Sequence, residues 1–499
     1  MKRRYNSTPL QSNKRLRNED YISATKVNNY MLNDKLVDWL ELYGKNYNFK
    51  KEKSTFKQFI FKKGYEYEEF IIKELKKKYK YEFIDIGTDK YNANNISFQE
   101  KTLEAMSKYR IIYSGCLIND KNKTFGIPDL LIRCDLIEEI LDVYYPYSVI
   151  HYVVVDIKSS KLKICENEKI SNINFIKANK GQLYIYNEAL SELQHYNPQR
   201  AYILGKNTNG CIDFQTYDKD IIDITKEGIE WYKLLLNEGN GWNPYSHPLL
   251  KPNMCCKINY EWENIKNKIA KKRNDFTRYW YISEKFREET CNEIRVPDSF
   301  PKSRREYLQK IIDVNKGIEV PYKHFNLPLG YFIDFESVSS PLIENEEIVM
   351  IGVGYFIDEN NEMSVKISEN MKWKYHCLYG DNLIEKFLGL VDLSKNFYHW
   401  GYAEMNLWKK NNDIPVNFVD LNKIFIKNGC VLRKCYNTSL KSVAKGLNIE
   451  YTSDCKCGLD AMYELYQYFY TKERDDINDI ILYNHYDVKI LSEIFKKFN

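Results

Sequence analysis

The segment GYFIDFESVSS, residues 330–340, constrains the fold more than any other stretch of the chain. Aromatic and aliphatic side chains fill both faces of a strand here, so it reads as a central strand of a covered sheet. Two acids interrupt it. Asp334 and Glu336 lie two residues apart, and the side-chain period of a strand puts them on one face. Carboxylates spaced ~7 Å along a partly buried strand repel unless a cation neutralises them. A two-metal phosphoryl-transfer site uses about four such groups around ions ~4 Å apart. The sequence should therefore supply two more. HWGYAEMNLW offers Glu404 where a strand meets a helix, with His399 five positions earlier. YNHYDVKIL offers Asp487 in the last helix. Tyr483 stands one turn before it on the same face, with a phenol able to orient an attacking water.

A second strand-like run, SVIHYVVVDIKSS, also closes on charge. Period two places Asp156 and Lys158 on one face. A carboxylate there suits a hard divalent cation bound through oxygen. An ammonium beside it orients water and stabilises developing phosphorane charge. A second carboxylate is needed to fix the ion, and Asp129 in GIPDLLIR supplies it at the start of another strand.

The set around Asp156 resembles the RecB-like branch of the PD-(D/E)XK nucleases, over residues 21–245. Its motifs occur in order: Glu68 on an early helix after Gly64, Asp129 in GIPD, Asp156-Ile157-Lys158, then Gln182-Leu-Tyr-Ile-Tyr186. The resemblance implies that Asp129 and Asp156 ligate Mg²⁺ or Mn²⁺, that Glu68 completes the metal shell, and that Lys158 activates water. Gln182 and Tyr186 would contact DNA or brace the site. The early helix offers neither a His ligand nor a Cys, and no late Cys trio has cluster spacing, so no iron–sulfur cluster is expected.

The set around Asp334 resembles the DEDD exonucleases of the ribonuclease H superfamily, over residues 328–499. Asp334, Glu336, Glu404 and Asp487 would be catalytic metal ligands, with Tyr483 marking the Tyr subtype, since Leu482 stands where the His subtype has its His. Glu404 departs from the pattern, because Asp is usual there. His399 would touch substrate or cap its strand, and Asp420 in FVDLNKIF would be structural or peripheral. The order of the two sets resembles two-domain RecB family nucleases. The expected architecture is α/β: a restriction-endonuclease-like mixed sheet, a helical connector over 246–327, and a ribonuclease H-like mixed sheet.

Element patterns fit that plan. KKGYEYEEFIIKELKKKY reads as an amphipathic helix with Gly64 near its start and Phe70, Ile71 and Leu75 as its apolar stripe. SGCLIND, TFGIPDLLIRCD and PQRAYILGK read as strands, and NKGQLYIYNEALSEL as a helix. GYFIDFES, IVMIGVGYFID and MSVKIS read as three consecutive strands, followed by alternating strands and helices. Residues 1–20 are polar, hold Lys2, Arg3, Arg4, Lys14, Arg15 and Arg17, and read as a disordered basic tail.

Composition removes other classes. The longest apolar run falls far short of the roughly 18 residues a membrane span needs, and no apolar segment follows Met1, so a soluble intracellular protein is expected, nuclear or cytoplasmic. No G-x-x-x-x-G-K-[ST] occurs, so the chain carries no recognisable P-loop motor and is expected to work on already open ends or beside a separate helicase. Twelve cysteines include Cys255-Cys256 and Cys455-Lys-Cys457 but no Cys-x-x-Cys, so reduced thiols are expected. A net charge of +5 permits a polyanionic partner without demanding one. The resemblances together imply a Mg²⁺- or Mn²⁺-dependent nuclease acting on DNA in repair, recombination or replication-linked end processing. The alternatives are an RNA-directed 3′ exonuclease, and a nucleic-acid-binding scaffold with one inactive site.

Overall fold

The computed structural model describes residues 21–499 apart from 89–93, 166–167, 174, 207, 340–341, 361, 365–367, 369 and 450–457. The basic tail and the Cys455–Cys457 pair lie outside the described residues. The chain divides into two compact units. The first holds the described residues up to Glu52 with Ile60–Arg273, and the second holds Lys53–Phe59 with Asn274–Asn499.

The first unit contains β1 (Ile22–Ser23), β2 (Phe83–Asp85), β3 (Ile111–Tyr113), β4 (Leu117–Asn119), β5 (Thr124–Gly126), β6 (Leu130–Arg133), β7 (Tyr152–Lys158), β8 (Arg200–Gly205) and β9 (Thr208–Asp213). Six of them form a mixed sheet in the order β2-β3-β6-β7-β8-β9, and β1-β5-β4 form a small second sheet. The continuous apolar run of β7 serves two cores. Val153 and Val155 pack with Ile72 and Leu75 of helix Thr55–Lys78, and Val154 packs with Leu183 and Ile185 of helix Ile176–Gln194. Each such fully buried side chain contributes roughly 1.5–3 kcal/mol. TFGIPDLLIRCD is two strands, not one, because Ile127-Pro128-Asp129 breaks it. Helix Thr55–Lys78 starts earlier than expected, so Gly64 is interior, and Phe70 is exposed while Ile72 takes its place in the stripe.

The second unit contains β10 (Tyr331–Val338), β11 (Glu347–Ile357), β12 (Lys372–Tyr379), β13 (Asn396–His399) and β14 (Asn417–Asp420), in the order β12-β11-β10-β13-β14. β10 is indeed central, antiparallel to β11 and parallel to β13. Its odd residues Tyr331, Ile333 and Phe335 pack on Phe387 and Trp408, carried by helices Leu383–Leu390 and Ala403–Asn411. Its even residue Phe332 packs on Leu491 and Phe495 of the last helix, Asn478–Phe498. Asp334 and Glu336 therefore share the face that meets that helix. The centre of the expected strand MSVKIS, residues 365–367, lies outside the described residues; Met363 at its start bridges to Ile357. β12, in KWKYHCLY, is a further strand beyond those expected.

The segment expected as a connector divides between the units. Lys266 Nζ reaches Asp34 Oδ2 at 2.8 Å inside the first, with both side chains fully buried. Tyr307 donates from its hydroxyl to the Cys430 carbonyl at 2.8 Å inside the second. No described helix is long and apolar enough to cross a membrane.

Candidate active sites

In the first unit, Leu130 of β6 pairs with Val155 of β7 in antiparallel register. One step further along that register sets Asp129 opposite Asp156. Asp129 Oδ2 accepts the Ile157 N–H at 2.6 Å. Asp156 is almost fully buried, and Lys158 Nζ lies 2.5 Å from its Oδ2. Helix Thr55–Lys78 brings Glu68, whose Oε1 accepts from Tyr113 of β3 at 2.9 Å. Helix Ile176–Gln194 brings Gln182, which donates to the Tyr186 hydroxyl at 2.8 Å. Tyr186 is buried, its ring filling the space left by Gly126, where a Cβ would overlap it. Tyr186 thus braces the centre, whereas Gln182 keeps part of its surface.

The electrostatics follow from crowding three acids around one lysine. Asp129 is held well above the ordinary carboxyl range, by burial first and by Asp156 second, with Lys158 opposing. Glu68 is raised too, by burial, with its Tyr113 bond opposing and Asp156 adding. Burial works against the charge of Lys158, but Asp156 and Asp129 outweigh it and raise its pKa. The two acids therefore favour the ammonium form of Lys158.

In the second unit, Asp334 and Glu336 face Asp487, Tyr483 and Asn484 of the last helix. Glu336, Glu404, Tyr483, Asn484 and Asp487 are all buried, and Asp334 is half-buried. Burial lifts Asp334 well above the ordinary range, and Glu336, Asp487 and Glu404 each add. Glu336 is pushed up to about 8 by burial first, then Asp487, with Glu404 adding and the Asn484 and Asp334 hydrogen bonds opposing. Asp487 and Glu404 thus both add to the negative field at Asp334 and Glu336. Glu404 opens helix Ala403–Asn411, and its Oε2 lies 3.2 Å from His399 Nδ1. His399 is only 1% exposed, so its ring meets Glu404 rather than solvent. Asp420 accepts from the N–H groups of Gly401, Asn422 and Lys423, which makes it a helix cap.

Sequence reasoning missed Tyr113, Asn484 and Tyr375. Tyr375 of β12 donates to Asn484 Oδ1 at 2.8 Å, and Asn484 Nδ2 donates to Asp334 Oδ2 at 2.8 Å. The available signal was the Gly352-Val353-Gly354 alternation in β11. Gly352 pairs with Asp334, and a Cβ there would overlap Asn484 Oδ1.

Residues 331–499 match the model of the RNase H superfamily. An RNase H-like domain forms the C-terminal part of the chain. The match takes in all five strands of the second sheet and the four acids. A fold of this kind is generally that of a nuclease or hydrolase, and RNase H-like nucleases commonly use divalent metals. A comparison with curated proteins returns no match for the chain.

Among the described residues, no three His, Cys, Asp or Glu side chains converge on one point. Each centre is instead a facing pair of acids with further acids in electrostatic reach. The donor chemistry still fits a hard ion: every candidate ligand is a carboxylate.

Proposed function

We propose that the protein is a divalent-metal-dependent nuclease with two centres that hydrolyse DNA phosphodiester bonds. The N-terminal centre would be of the RecB-like PD-(D/E)XK type and cleave the strand. The RNase H-like centre would be of the DEDD type and trim 3′ ends. The observation that carries the reading is geometric: Asp334 and Glu336 share the face of the central strand that meets the last helix, which bears Asp487, while Glu404 stands buried at the start of a second helix. The preference for DNA rests on the likeness of the first unit's motifs to RecB-like nucleases, and so does the role in repair, recombination or replication-linked end processing.

Mg²⁺ or Mn²⁺ would be held by Asp129, Asp156 and Glu68 in one centre and by Asp334, Glu336, Glu404 and Asp487 in the other. Bound there, such an ion polarises the phosphoryl oxygens and lowers the pKa of water. The chain's own residues do the rest. Lys158, favoured as an ammonium, stabilises charge growing on the phosphorus oxygens and can donate a proton. Tyr483 lies one helical turn before Asp487, and its phenol would orient the attacking water. Gln182 supplies an amide at the edge of the first centre for a substrate contact. End-labelled single-stranded DNA, duplex DNA and single-stranded RNA, each with Mg²⁺, Mn²⁺ or EDTA, test the proposal. The expected result is metal-dependent loss of DNA. Degradation of RNA alone would replace the substrate assignment, and no hydrolysis under any condition would remove the activity.

A further inference from the structure

Asn484 is fully buried and lies on the last helix between Tyr483 and Asp487. Its amide spans three partners. Nδ2 donates to the Asp334 carbonyl at 3.1 Å and to Asp334 Oδ2 at 2.8 Å, and Oδ1 accepts from Tyr375 at 2.8 Å. The amide cannot be turned over, because a backbone carbonyl only accepts, so the nitrogen must face Asp334. Burial raises the Tyr375 phenol far above its ordinary value, so it stays protonated and keeps donating.

The surroundings are shaped for this amide. Gly352 lies beside Asp334 in β11, and any side chain there would collide with Asn484 Oδ1. Val488, one turn further along the same helix, packs into the space above Gly354. Two glycines on one strand face thus let the helix approach the sheet closely enough for the amide to reach its strand. An aliphatic side chain of the same size would fill this space equally well, so packing alone does not call for an amide.

We propose that Asn484 is a positioning residue for the RNase H-like centre. Held by Tyr375, it ties Asp334 Oδ2 to the residue's own backbone carbonyl, so that the carboxylate is held in one orientation and its other oxygen is left for an ion. The inference rests on reading the four acids as a metal centre. Orienting hydrogen bonds of this type, when removed, change metal affinity or activity by on the order of 10–100-fold.

The test is calorimetric titration with Mn²⁺ alone, on the full chain carrying Asp129→Ala and Asp156→Ala so that the first centre is silent. The parent is expected to bind Mn²⁺. Asn484→Leu, close in volume, is expected to weaken binding by on the order of 10–100-fold, and Tyr375→Phe to weaken it by a smaller factor. Parent binding that persists unchanged in a folded Asn484→Leu overturns the inference. If that variant fails to fold, unchanged affinity in Tyr375→Phe does the same. A parent that binds no Mn²⁺ overturns the metal-centre reading itself, an outcome distinct from failure of the Asn484 role.

Discussion

The two centres place facing carboxylates on strands and then treat their charge differently. In the first, Lys158 lies against Asp156, so a cation is built into the protein. In the second, the acids around Asp334 have the neutral Asn484 as their anchor, and the cation-capable His399 stands only beside Glu404. The first centre is partly compensated as it folds. The second keeps a surplus of buried acid that a proton or a metal must relieve. This difference says which centre depends more on its ion for stability, and which carries its own charge stabiliser for chemistry.

The largest expected effect separates the centres. Asp156→Ala should abolish strand cleavage and leave end trimming, and Asp334→Ala should do the reverse. Each loss should exceed about 10³-fold in rate, measured on end-labelled DNA, as expected when an ion's transition-state stabilisation is removed. Lys158→Met tests the built-in cation. It should cost the first centre roughly 10²–10³-fold and leave trimming at the second untouched.

Stability should show the opposite asymmetry. The Asp334–Glu336 pair has a folded-state pKa raised above its unfolded value. A raised carboxyl contributes stability that is fully present below the unfolded pKa and is lost as pH rises through the folded value. For Glu336 that window runs from about 4.5 to about 8. In EDTA at pH 8, Glu336→Gln should therefore stabilise the protein by on the order of 4 kcal/mol, and the gain should fade as pH falls towards 4.5. Thermal unfolding across that range checks it, and saturating Mn²⁺ should reverse the ranking. The smallest effect should come from Glu404→Asp. Shortening the side chain draws it back from His399, and trimming should change only a few-fold, the scale of a single weakened hydrogen bond.

Much of this was legible because strands write their faces in alternate residues. Asp156 and Lys158 of β7, and Asp334 and Glu336 of β10, sit at period two within apolar runs, so both the strands and the shared faces could be read directly. β12 was missed because KWKYHCLY alternates Lys with aromatics and lacks an aliphatic run. β2 and β3 are three residues each, too short to show a period. Asn484 was invisible for a different reason. An Asn inside a helix carries no charge, and its partners Tyr375 and Asp334 are distant in sequence, so only the fold brings them together. The buried Lys266–Asp34 and Lys180–Asp218 pairs were hidden in the same way, each lysine reading as an ordinary surface residue of a helix.

The central claim is that both sets of acids hydrolyse phosphodiesters, and the double variant Asp156→Ala, Asp334→Ala tests it most directly. Its cleavage of end-labelled DNA would be followed with Mg²⁺ and with Mn²⁺, beside each single variant. The account expects two distinct product patterns from the singles and none from the double. A folded double variant that cleaves as fast as the wild type would contradict it.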